Sequence, residues 1–225
     1  LNTGVGRLAL TNLTSGARNA AFGAETLDAL TTGNDNTACG YAALSAVTTG
    51  ANNVGIGRQA AASVTTANSN TAVGFFALLN NTSANNTAVG ASSLQANTSG
   101  ENLTAVGLGA LTSNTTASGN TAVGFNAMAL NTTGASNTAL GAEALDASTT
   151  GVSNVAVGKG ALTALTTAAY NTSVGTSTLQ GVTTSSANTA VGYTALLNGN
   201  RANNVAVGFE ALRQGASGDS NVAVG

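Results

Sequence analysis

Asn70-Thr71-Ala72-Val73-Gly74-Phe75-Phe76-Ala77-Leu78 decides the fold, because the chain returns to it as Asn188-Thr189-Ala190-Val191-Gly192-Tyr193-Thr194-Ala195-Leu196. The glycine of this motif recurs from Gly6, Gly23, Gly40 and Gly57 onward to Gly225. The interval is 17 residues, shortened to 16 between Gly74 and Gly90 and between Gly192 and Gly208. Self-similarity at a fixed short period is the mark of stacked coils in which each repeat buries its apolar side against the next. Positions are counted below from this glycine, so that Val73 is −1, Ala72 is −2, Asn70 is −4 and Leu78 is +4. The 225 residues form one continuous array, 1–225, of about 13 coils without capping repeats, which reads as a segment of a longer fibre protein.

Each column carries its own physical requirement. Position −1 is sizeable and mostly aliphatic, as at Val73, Val123 and Val191, and reads as a core ladder. Position +4 is nearly always Leu, as at Leu78, Leu145 and Leu196, and reads as a second ladder facing the first. Position −2 is Ala, Gly or Ser in every copy, including Ala38, Ala72, Ala122, Ala139 and Ala190. In an extended segment −2 points opposite to −1. A water-facing column would not reject every large side chain, so −2 reads as a second packed face, turned toward neighbouring chains. Position −4 is Asn in thirteen of fourteen copies, Asn36, Asn70, Asn120, Asn137 and Asn188 among them, with Leu103 the exception. Stacked coils would set these amides in register as a hydrogen-bonded ladder, and Asn also tolerates the left-handed backbone of a corner. The glycines, Gly40, Gly74, Gly124, Gly141 and Gly192 among them, supply a positive φ or a close backbone approach.

The short Thr-Ala-Val segments are β-prone, and Gly and Asn interrupt the chain too often for long helices. Stretches such as Gly141-Ala-Glu-Ala-Leu-Asp146 leave room for one helical turn per coil. The fold class expected is therefore all-β, a repetitive parallel β-solenoid or β-roll of 17 residues per coil, with or without that turn.

Composition excludes much chemistry. The chain has no His, Pro or Trp, a single Cys, and only 6% charged residues against roughly 25% in an ordinary domain. Without His there is no Ser-His-Asp triad and no His-based metal site. With a net charge of −2 and no basic stripe there is no case for a nucleic-acid partner. The 42 uncharged residues between Arg58 and Glu101 are interrupted throughout by Asn, Thr, Ser and Gly, so membrane insertion is not expected either. Glu25 with Asp28, and Glu143 with Asp146, read as parts of a solvated face. Cys39 occupies a −1 position and reads as a buried, inert thiol. Tyr41, Phe75, Phe125, Tyr193 and Phe209 at +1 read as outward or half-exposed rings that pack on a neighbouring coil or chain. The sequons at Asn81, Asn114 and Asn131 follow from a composition rich in Asn and Thr. No catalytic, cofactor-binding or metal-binding residue is expected.

The Asn-Thr-Ala-Val-Gly-x-x-Ala-Leu repeats resemble the repetitive shafts of bacteriophage tail fibres over the whole chain. They are similar, more loosely, to the Asn-Ser-Val-Ala-Ile-Gly head repeats of trimeric autotransporter adhesins, whose coils are shorter. The resemblance implies a left-handed parallel β-roll with three chains around one axis. It also implies an extracellular shaft, on a virion or a cell surface, that presents a distal tip to a host glycan or receptor. The partner expected of this chain is itself, as a homotrimer. Two further readings stand beside it: a lateral surface that holds glycans, and an ice-binding solenoid, which would favour regular Thr-x-Thr rows.

Overall fold

The computed structural model describes residues 1–214 and 218–225. The chain divides into two compact units, Leu1–Thr116 and Ala117–Gly225. The first unit holds β1 (Thr3–Val5), β2 (Ala20–Phe22), β3 (Thr37–Cys39), β4 (Val54–Ile56), β5 (Thr71–Val73), β6 (Thr87–Val89) and β7 (Thr104–Val106). The second holds β8 (Thr121–Val123), β9 (Thr138–Leu140), β10 (Val155–Val157), β11 (Thr172–Val174), β12 (Thr189–Val191), β13 (Val205–Val207) and β14 (Val222–Val224). In each unit every strand pairs in parallel with the strand one repeat away. The register sets like positions side by side, as in Thr37↔Val54, Ala38↔Gly55 and Cys39↔Ile56. The protein is an all-β parallel β-solenoid of about 17 residues per turn, and no helix occurs among the described residues.

The inside of the coil is the −2 face, and the −1 face is outside. Ala38, Ala72, Ala122, Ala139 and Ala190 are fully buried within their own chain. They are therefore unavailable as a surface for neighbouring chains, contrary to the sequence reading. Val191 is 36% exposed and Ile56 40%, while Val73 and Val123 are half-buried, so the −1 column is an outward row and not a core ladder. Cys39 lies in that row and is exposed, not buried. The reason is the thinness of the coil. Leu at +4 reaches in from the turn and fills the space over the strand. A Cβ placed on Gly55 at −2 would lie 2.8 Å from Leu44 Cγ. Only a small residue fits beneath that leucine. Leu78, Leu145 and Leu196 are fully buried, as expected, each contributing about 1.5–3 kcal/mol by leaving water.

The segment after the glycine turns without becoming helical. Residues +2 and +4 take left-handed φ values, 58° at Glu25 and 47° at Leu27. Such values cost a non-glycine residue roughly 1–2 kcal/mol. Their return is axial hydrogen bonding. The N–H of Glu25 donates back to the Arg7 carbonyl (2.8 Å), while those of Leu27 and Ala29 donate forward to Ala43 and Ser45 (both 3.3 Å). A helical turn would close these bonds on itself and remove these links between adjacent turns.

The 16-residue interval keeps strand register, with Thr71↔Thr87 and Val73↔Val89 paired as elsewhere. The missing residue comes out of the corner after Thr82. There the single residue Ser83 receives the Asn70 Nδ2 bond through its carbonyl (3.0 Å), the role Ala67 plays one coil earlier for Asn53 (2.9 Å).

Candidate functional site

Two features span the coils: an asparagine ladder inside and a Thr/Val face outside. Inside, each amide bridges three coils. Asn36 donates its backbone N–H (2.9 Å) and its Nδ2 (3.1 Å) to Asn19 Oδ1, and Nδ2 also donates to the Gly50 carbonyl (2.9 Å). Asn36 Oδ1 in turn accepts from the N–H (3.0 Å) and Nδ2 (3.1 Å) of Asn53. Both amide hydrogens and both acceptor sites are used, which is what a fully buried amide requires. Asn70 and Asn188 likewise donate their N–H and Nδ2 to the Oδ1 of the preceding rung, Asn53 and Asn171. Asn120 Nδ2 donates to the Gly134 carbonyl (2.8 Å), and Asn137 N–H donates to Asn120 Oδ1 (2.8 Å). The ladder asparagines themselves do not adopt the left-handed backbone expected of them. That conformation falls on the preceding residue, such as Arg18 (59°) and Asp35 (59°).

Leu103 marks the one substitution in the ladder. It is buried, and its N–H still donates to Asn86 Oδ1 (3.0 Å). Around it a second amide ladder, which the sequence reading missed, runs at +7. Asn97 Nδ2 donates to Asn81 Oδ1 (2.7 Å), and Asn114 Nδ2 to Asn97 Oδ1 (2.9 Å). In other coils +7 is apolar, as at Leu30 and Val64, or the buried Ser148. The signal was present as an Asn replacing Leu or Val at one position through consecutive coils. The sequons at Asn81, Asn114 and Asn131 belong to this column, and all three side chains are fully buried. None is an acceptor for a glycan in the folded chain.

The glycines behave as the motif demands. Gly141 has φ +141°, and a Cβ there would sit 2.5 Å from the Gly158 carbonyl oxygen; Gly40, Gly74, Gly124 and Gly192 likewise have positive φ. A threonine column at +8 was also missed. Its hydroxyls donate to the carbonyl of the same residue one coil on, as in Thr31 to Thr48 (3.0 Å) and Thr98 to Thr115 (3.0 Å). The threonines at −3 face outward beside the Val row; their backbone N–H groups donate to the next coil, as Thr71 to the Asn86 carbonyl (2.8 Å), while their hydroxyls have no hydrogen-bond partner among the described residues.

The +1 column stands at the corner of the outward face. Tyr41, Phe75, Phe125, Tyr193 and Phe209 are exposed. Tyr193 stacks on Phe209 one coil away at 5.5 Å, and Arg58 lies over Phe75 at 5.8 Å. Charged groups also pair from coil to coil. Arg7 meets Glu25, and Arg18 meets Asp35 (2.6 Å). The hydrogen bond from Arg18 holds the Asp35 carboxyl below the usual aspartate value. The hydrogen bond to Glu25 pushes the Tyr41 phenol up. Asp146 is raised, chiefly by burial. Among the described residues no group of three His, Cys, Asp or Glu side chains is placed to hold a metal ion, and no helix is long and apolar enough to cross a membrane. Comparisons with family models, with curated proteins and with solved structures find no match to this chain.

Proposed function

We propose that this chain is the structural shaft of an extracellular trimeric fibre, of the phage tail-fibre or surface-adhesin kind, that holds a receptor-binding tip away from its anchor. The observation that supports this reading is axial continuity. Within each unit, coil after coil is tied to the next by strand bonds and turn bonds, and in most of the described coils also by a threonine hydroxyl and a shared asparagine amide. Work applied along the coils is thus spread over a repeated set of bonds, and among the described residues no long loop offers itself to proteases. The role is mechanical, the partner is a second and third copy of the chain, and the tip that would meet a glycan or receptor lies outside these residues.

The test is single-molecule extension of the folded chain held at its two ends. A shaft yields in steps of one coil, which for 17 residues corresponds to about 55–60 Å of released chain. Smooth lengthening at low force, with no such steps, would remove the mechanical role.

A further inference from the structure

We infer that the outward Thr/Val face of each sheet is the surface by which parallel copies of this chain associate, coil against coil. The inference rests on the trimer reading above and names its interface. The sequence had assigned that role to the alanine column, which the fold spends inside the coil. The −3 and −1 columns together form a regular outward face that recurs at every coil.

Its chemistry suits a protein partner of the same kind. None of the six basic and eight acidic residues falls in either column. The −1 row presents Val, Ile, Phe or Leu at every coil except that of Cys39, and Phe22 (44%), Ile56 (40%) and Leu140 (47%) are well exposed. The −3 threonines bring hydroxyls with no partner of their own in the chain, beside methyl groups. Seven strands about 4.8 Å apart, each three residues long, give roughly 340 Å² of plane surface per unit. Each unit therefore brings somewhat under half of the approximately 800 Å² per partner of a standard interface before the +1 aromatics are added. An uncharged, aliphatic patch of this size on a single chain is the usual sign of an interaction surface.

The repeat decides between a copy and an unlike partner. Side chains that recur at each coil can be matched at every coil only by a surface with the same spacing. The chain itself has that spacing. Copies related by rotation about a common long axis run in the same direction and set equal residues at equal height. Cys39 of one copy would then stand beside Cys39 of the next.

The test uses the full chain. Its mass is measured in solution, and Cys39 is probed with a monofunctional maleimide and with a short bis-maleimide. Expected are a defined oligomer, Cys39 labelling slowed roughly tenfold or more relative to the urea-unfolded chain, and covalent pairs of chains with the bis-maleimide. Val73→Lys with Val89→Lys should return a folded monomer with a reactive Cys39. Leu130→Lys, exposed and outside the −3 and −1 columns, should leave the oligomer intact. The wild-type thiol readouts hold even if the lysine variant does not fold. An oligomer whose Cys39 labels freely and does not cross-link overturns this interface while leaving the trimer standing. A chain that stays monomeric overturns both.

Discussion

Replacing Asn137 by Ala removes one rung of the ladder, and the cost can be worked out group by group. Asn137 Nδ2 donates to the Gly151 carbonyl (2.7 Å), and its Oδ1 accepts from Asn154 N–H (2.9 Å) and Asn154 Nδ2 (3.2 Å). Asn154 Nδ2 keeps its bond to the Ala168 carbonyl (2.9 Å), so its loss is partial. The Gly151 carbonyl and the Asn154 N–H lose these partners in a buried setting. An unsatisfied buried group costs about 1–3 kcal/mol, which gives roughly 2–6 kcal/mol for the pair. Long repeat arrays do not unfold as one unit, so the loss should be local. Amide hydrogen exchange at Asn154 should accelerate by about 30-fold or more, the equivalent of 2 kcal/mol, while amides several coils away change little. An Asn137→Ala chain whose Asn154 amide exchanges as slowly as in the wild type would refute the reasoning.

The other predictions follow from the same geometry. Gly141→Ala should destabilise its coil by about 3 kcal/mol or more, since it joins a left-handed φ to a contact with backbone that cannot move aside; urea titration of strand content checks it. Ala122→Leu should cost roughly 1–3 kcal/mol by overfilling the coil, whereas Val123→Thr, one residue on and outward, should change stability by under about 0.5 kcal/mol; equal costs would mean that the faces are misassigned. In a carboxyl NMR titration Asp35 should lose its proton below the usual aspartate value and Asp146 above it. The signs for stability are opposite. What Asp35 contributes is present above its ordinary value and fades as pH falls through its depressed one, whereas protonating Asp146 as pH falls toward its raised value relieves a half-buried charge. Arg18→Gln should move the Asp35 midpoint upward and leave Asp146 alone.

The period, the parallel stacking, the asparagine ladder and the role of the glycines were all legible in the sequence. Each rests on a requirement that one residue type meets. Only an amide can give two hydrogens and accept two in register, and only glycine fits where a Cβ would meet the next coil's carbonyl. Which strand face is inside was not legible. Alternation tells that Ala72 and Val73 face apart, but the bulkier side chain was taken as the buried one. In a coil this thin the leucine from the turn occupies the centre, so the strand must offer its smaller side chain there. The helical turn failed for a related reason. Ala-Leu stretches have good local helix propensity, yet the turn is held by bonds to adjacent coils, which reward an alternating left-handed backbone instead. The +7 amide ladder around Leu103 could have been found by reading each column for runs rather than for consensus.

The inward placement of the small column is the centre of this account, and one NMR measurement tests it most directly. In a methyl-labelled sample the Leu44 methyls should show a nuclear Overhauser effect to the Hα protons of Gly55, which they face across the coil. They should show none to the Ile56 side chain, which points outward. Contacts from Leu44 to the Ile56 methyls, with none to Gly55, would turn the sheet over and contradict it.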